Sequence, residues 1–170
     1  MNLRKELAME YRQTTDEELE VLWEQNVAEH NYDACWIDWK KEFVENNRSG
    51  KAVTFAVLCN GYAVGEGTLL LSPDCNAIAG RKTLCDGKAI ANVNALRIQK
   101  EYEGKGHISK LMRAIEQYAI EKGIQKLTIG VEAKETRNLA IYLHFGFNEF
   151  LLSELEEGEL VLYFGKPLEK

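Results

Sequence analysis

Residues 94–119 read NALRIQKEYEGKGHISKLMRAIEQYA, and within them Gly104 and Gly106 sit two positions apart beside Lys105 and Lys110. Glycine lets the main chain turn tightly and lets a ligand approach where a Cβ would obstruct it. Successive N–H groups entering a helix form a nest of partial positive charge, which suits an anion and above all a phosphate. A glycine turn of this kind also serves as tight packing between a strand and a helix, and residue types alone leave both readings open. The P-loop pattern GxxxxGK[ST] is absent, and GxGxxG fails because Ser109 stands three residues after Gly106. Readings as an ATP site or a dinucleotide site are weakened accordingly.

The elements that must position this turn follow from periodicity. A short strand is expected at 10–14. A helix then starts from an N-cap at Thr15 or Asp16, with Leu19, Leu22, Trp23, Asn26 and Val27 at helical spacing. A second helix covers about 33–46. KAVTFAVLCNGYAVGEGTLLLSP is two strands joined at Asn60–Gly61, a hairpin signal. Residues 72–89 show no periodicity and read as a long loop of the functional kind. A strand at about 90–99, a helix at 105–122, a strand at 126–131, a helix at 136–145 and strands near 147–152 and 159–164 complete the pattern. In the 105–122 helix, Ile108, Leu111, Met112, Ile115 and Ala119 fall on one stripe, and Gly123 ends it. The expectation is one α/β (α+β) domain over residues 1–170.

At 170 residues and 45% hydrophobic content the chain can bury a proper core. No apolar run is long enough to cross a bilayer, and MNLRKELAMEYRQ lacks the apolar segment of a secretory signal. A cytoplasmic protein with no membrane partner is expected. Cys35, Cys59, Cys75 and Cys85 form no CxxC or Cys/His cluster, so reduced thiols and no metal are expected. Net charge is −6, and residues 1–50 carry all of it, with 12 acids against 6 bases. With no basic stripe, nucleic acid is a poor partner, whereas the acidic third could attract a cation. An ordinary solvated helix surface explains the same charge equally well.

The turn and what surrounds it resemble the GNAT superfamily of acetyl-CoA-dependent N-acetyltransferases. YEGKGHISKLM, from Tyr102 to Met112, is similar to that family's strand, glycine turn and helix, with matches at Gly104, Lys105, Gly106, Ser109, Lys110 and Leu111. Glu103 stands where the family has Arg or Gln, and Ile108 where it has Gly or Ala. Downstream, RNLAIYLHFGF resembles the family's AxxLYxxxGF segment, which places Tyr142 at the frequent catalytic tyrosine and Gly146–Phe147 at the GF pair. Glu135 falls where the family usually has Asn, leaving Arg137 or Asn138 as cofactor contacts. LVLYFGKPL resembles the family's closing strand.

The resemblance implies a mixed central sheet of six to seven strands, flanked by about four helices, whose splayed strands form a cleft for acyl-CoA. Backbone groups of Leu96, Arg97 and Ile98 would take the pantetheine as an added strand. Residues Gly104, Lys105, Gly106, His107, Ile108 and Ser109 would hold the pyrophosphate, with Glu103 required to point away. Tyr142 would protonate the leaving thiolate, unless it is a packing residue. For the base, Glu66 and Glu132 compete with a water relayed by Asn92 or Asn94. His30 and His144 read as surface or packing residues.

The acceptor is expected to be a cationic small-molecule amine. Tyr32, Trp36 and Trp39 beside Asp33 and Asp38 would suit it, although an amphipathic helix has the same pattern. A protein or peptide N-acetyltransferase and a non-catalytic acyl-CoA-binding regulatory domain are the alternatives, and assembly as a homodimer stays open.

Overall fold

The computed structural model describes residues 7–169. The first six residues, part of the N-terminal stretch read above for a signal, and Lys170 lie outside them. The chain runs β1 (Met9–Gln13), α1 (Asp16–Glu29), α2 (Ala34–Arg48), β2 (Ala52–Cys59), β3 (Tyr62–Leu70), β4 (Ile90–Ile98), α3 (His107–Glu121), β5 (Lys126–Glu132), α4 (Thr136–His144), β6 (Glu149–Glu156) and β7 (Glu159–Pro167). One seven-stranded sheet has the order β1-β2-β3-β4-β5-β7-β6. Every neighbouring pair is antiparallel except β4 and β5.

Local chemistry accounts for most boundaries. Thr15 caps α1 in a capping box with Glu18, as S/T-x-x-E predicts. Asn60 and Gly61 take φ values of 50° and 84°, the paired positive φ of a type I′ hairpin, so β2 and β3 meet without splaying. Glu157 and Gly158, at 51° and 82°, join β6 to β7 in the same way. The predicted stripe of α3 buries Leu111, Met112, Ile115 and Ala119 against Val93, Leu127 and Ile129 of the sheet. Ile108, at the start of the stripe, is half-buried: it packs against the same core and also lines the cleft described below. The opposite face of the sheet is covered by α1 and α2, through Leu19, Trp23, Phe43 and Val44.

The segment 72–89 is not the structureless loop that its composition predicts. Its turns bury Cys75, Ile78, Leu84 and Cys85 against Ala52, Leu70 and Tyr163, forming a small core of their own. Arg81 staples it to the β6–β7 hairpin by ion pairs of 3.0 Å to Glu154 and 2.9 Å to Glu156. All four cysteines are free, and only Cys35 is exposed. No helix among the described residues is long and apolar enough to cross a membrane.

Two irregularities shape the centre of the sheet. The β4–β5 ladder ends at Val93↔Ile129, after which β4 stays with β3 as far as Ile98 and β5 stays with β7 as far as Glu132. The two parallel strands therefore part into a V. On β4, Asn94 pairs with Thr68 but Arg97 pairs with Glu66, so three residues of β4 span two of β3. The extra residue is accommodated at Ala95, whose φ is +51°. A bulge of this kind bends the strand and inverts which side chains face which way beyond it.

Candidate active site

Two cavities meet in the V. The first, of about 820 Å³, lies between the splayed end of β4, the glycine turn and α4. The residues expected on the cofactor side, Leu96, Arg97, Ile98, Gly104, Gly106, His107, Ile108, Ser109, Arg137 and Asn138, all line it. Lys105, expected with them, does not.

Gly106 is the N-cap of α3 in a left-handed conformation, φ 81°, and no side chain caps it, so the first N–H groups of the helix are left without a side-chain partner. His107 is held by Tyr11 of β1, whose hydroxyl lies 2.7 Å from Nδ1. Glu103, expected to point away, instead lines this cavity, and its carboxylate sits 3.7 Å from the Arg137 guanidinium across the cleft. That cation offsets the acid where an anion would lie.

The second cavity, of about 800 Å³, opens on the other face of the sheet. Tyr142 and Leu96 line both cavities, so they stand at the junction. Asn92, Asn94 and Glu132 also line the second one. Burial raises the Tyr142 phenol above an ordinary tyrosine pKa, with Glu135 adding to the shift. The Tyr142 hydroxyl has no hydrogen-bond partner among the described residues, and it stays protonated at neutral pH.

Glu66 is not in either cavity. It is 2% exposed and accepts from Arg97 Nε at 2.6 Å and from Asn26 Nδ2 at 3.0 Å. Desolvation pushes its carboxyl above the carboxylate range, against the opposing pull of Arg97. The bulge at Ala95 brings the two together, and the Arg97 guanidinium also lies over Trp36, 4.9 Å from the ring centre. Glu66 therefore anchors the bulged end of β4 and is out of reach of an acceptor in the second cavity.

Arg97→Met should destabilise the fold by about 2–3 kcal/mol by leaving that carboxyl buried without its cation. Folding must then keep Glu66 protonated, with a folded pKa raised further above the unfolded one. The variant should thus be least impaired near pH 5 and increasingly unstable toward pH 8. Glu66→Met combined with Arg97→Met should recover most of the loss. Thermal unfolding across that pH range checks both statements.

The charge of the second cavity comes from residues that the linear charge count concealed. Its acids are Glu132, Glu154, Glu156 and Glu157, and its one lining cation among the described residues is Arg81. Of the acidic N-terminal third only Trp39 takes part; Asp33, which caps α2, and Asp38 do not line it. Trp36, expected beside the acceptor, stacks on His30 with ring centres 3.5 Å apart.

Tyr163 donates to Glu156 at 2.7 Å, and burial together with that carboxylate pushes its phenol up to about 12. A Cβ on Gly130 would come within 2.7 Å of the Tyr163 ring, so this wall needs glycine there. No group of three His, Cys, Asp or Glu side chains is poised for a metal among the described residues.

Among solved structures, AAC(6')-Ib in complex with ribostamycin and coenzyme A superposes with a TM-score of 0.71 at 15% identity, over 94% of this chain and 93% of that one. A spermidine N-acetyltransferase chimera from Vibrio cholerae and hSSAT gives 0.67 at 18% identity, over 94% and 96%. An acetyltransferase from Salmonella typhimurium that modifies the N-terminal serine of a 50S ribosomal subunit protein gives 0.68 at 13%, over 95% of both chains. At these identities the likeness is one of fold. No curated protein sequence matches the chain. Residues 5–147, however, match the sequence profile of the Acetyltransferase (GNAT) family, and a match over so much of the chain makes this protein a member of that family and an acyltransferase of its type.

Proposed function

We propose that the chain moves an acetyl group from acetyl-CoA to a primary amine of a cationic small molecule, by direct attack in a ternary complex. One observation carries the reading: two cavities of similar size meet at Tyr142 and Leu96, where the paired part of β4 and β5 ends. The first fits acetyl-CoA, with the α3 N–H groups and Arg137 toward the pyrophosphate and the free main-chain edge of Leu96–Ile98 toward the pantetheine. The second takes the amine.

In the reaction, the cationic amine first gives up one proton; its nitrogen then forms a bond to the thioester carbon, the carbon–sulfur bond breaks, and the second proton lost by the nitrogen replaces the one that Tyr142 gives to sulfur. Tyr142 returns a proton to the departing sulfur. The surplus amine proton leaves through solvent near Asn92 and Asn94 or through Glu132. Incubation of the protein and acetyl-CoA with polyamines, aminoglycosides, lysine-like compounds and peptide N-termini, following thiol release, tests this. Thiol release with peptides alone would move the function to protein acetylation. No thiol release with any of these amines, alongside retained acetyl-CoA binding, would favour a non-catalytic acyl-CoA-binding role.

Four carboxylates against one guanidinium bias the second cavity toward cations, which the attraction concentrates. Raising ionic strength from about 0.01 M to 1 M shrinks the Debye length from ~30 Å to ~3 Å, so kcat/KM for the acceptor should fall over that range. Glu154→Gln with Glu157→Gln leaves the Arg81–Glu156–Tyr163 contacts in place. It should lower kcat/KM at low salt by on the order of threefold to tenfold and flatten the salt dependence. Steady-state kinetics at several salt concentrations check it, and a salt-insensitive wild type would return these acids to a surface role.

A further inference from the structure

We infer that Thr128 orients a relay of two amides, Asn92 and Asn94, that ends in a hydrogen-bond acceptor for the attacking amine. The inference rests on the acetyltransfer reading above and adds to it a positioning residue, Thr128, on β5.

The relay follows from counting hydrogens. Thr128 is 0% exposed and Asn92 is 2% exposed, so neither can turn to water for a partner. Thr128 Oγ1 lies 2.6 Å from the Leu84 carbonyl, which can only accept, so the single hydroxyl hydrogen goes there. Toward Asn92 the same oxygen then has only lone pairs. It must be met by the amide nitrogen, and Asn92 Nδ2 does so at 2.9 Å. The reversed amide would set oxygen against oxygen in a dry interior, at the full cost of an unmade bond.

Asn92 Oδ1 is thereby turned toward Asn94, whose Nδ2 meets it at 3.4 Å. Asn94 Oδ1 is what remains, and no donor among the described residues reaches it. Asn94 lines the second cavity and is the first residue beyond the last β4–β5 pair, at the root of the V.

An acceptor is what the chemistry needs at that place. A neutral amine attacks through its lone pair, so its N–H groups point back at the protein. As the carbon–nitrogen bond forms, the nitrogen gains positive charge and its hydrogen bond to a carbonyl oxygen strengthens, which favours the transition state over the ground state. The folded 72–89 segment thus reaches the reacting atoms through one carbonyl, that of Leu84.

The test combines kinetics with a signal independent of turnover. Thr128→Ser keeps the hydroxyl and should retain wild-type kcat/KM for an accepted amine. Thr128→Val removes it and should lower acceptor kcat/KM about tenfold, the scale of one neutral hydrogen bond, with KM for acetyl-CoA unchanged. Asn94→Leu should give a similar loss. The double variant should lose little more than either single one, because both act through the same oxygen.

Side-chain amide NMR of Asn92 should show protected hydrogens in the wild type and in Thr128→Ser, and altered, faster-exchanging ones in Thr128→Val. Additive losses, or a loss shared with acetyl-CoA affinity, would reduce Thr128 to packing and overturn the relay. Asn92 amide signals indifferent to Thr128→Val would overturn it whatever the activity. A wild type that acetylates no amine would overturn the acetyltransfer reading itself, with the Asn92 signals still reporting whether the orientation is set.

Discussion

Gly106→Val should weaken binding of CoA by at least about 100-fold while the fold survives. Gly106 sits at φ 81°, where a β-branched residue is strained, and an added Cβ would meet no protein atom within 4 Å. The open space above it belongs to the first cavity. The backbone must therefore relax into an ordinary conformation and withdraw the first N–H groups of α3. Charge-assisted hydrogen bonds to a pyrophosphate contribute about 1.5–3 kcal/mol each, so losing two accounts for the expected factor.

Gly123, at the other end of α3, has φ 80° and equally open surroundings. Gly123→Val should cost comparable stability without touching CoA affinity. Calorimetric titration of CoA with both variants, beside their melting curves, separates the two effects. Equal affinity in Gly106→Val and the wild type would remove the pyrophosphate from this turn.

The contrast between Gly106 and Ala95 shows what was legible before the structure. A glycine at a strand-to-helix turn, the Asn60–Gly61 hairpin and the α3 stripe are local signals, each contained within a few residues, and the element order follows from them. The bulge at Ala95 leaves no such mark, because alanine has no preference for the positive φ it adopts. Simple alternation from Asn92 and Asn94 puts Leu96 opposite Glu66. The extra residue puts Arg97 there instead, which explains why Glu66 reads as a free base in the sequence and is an ion-paired anchor in the fold.

The acidic wall was hidden for a related reason. Glu154 and Glu156 alternate along β6 so that both reach one face, and Glu157 follows at the turn, yet the charges of residues 51–170 cancel in sum. Only the placement of β7 between β5 and β6 brings that hairpin to the V. The run SELEEGE held the signal, but a count over a long segment averages it away. Arg81 was equally invisible, since its role depends on a loop whose turns are stabilised by burying Ile78, Leu84 and two cysteines.

Tyr142→Phe should lower turnover by roughly 10²-fold, the usual range for a positioned general acid, with acetyl-CoA affinity and melting temperature nearly unchanged. The ring packs with the core around α3 and α4, so phenylalanine preserves the contacts and removes only the hydroxyl. Burial holds the phenol protonated above the ordinary tyrosine range. As a donor it is therefore available throughout neutral pH and is lost only above about pH 10, so an alkaline fall in kcat that begins lower belongs to another group. Single-turnover measurements keep product release from masking the loss. The leaving group supplies a second check: an acetyl thioester of a strongly acidic thiol departs without needing a proton, so the variant should approach the wild-type rate with that donor while remaining slow with acetyl-CoA. A loss of the same size with both donors would mean that Tyr142 shapes the junction of the two cavities rather than protonating sulfur, and wild-type turnover with acetyl-CoA would leave it as packing alone.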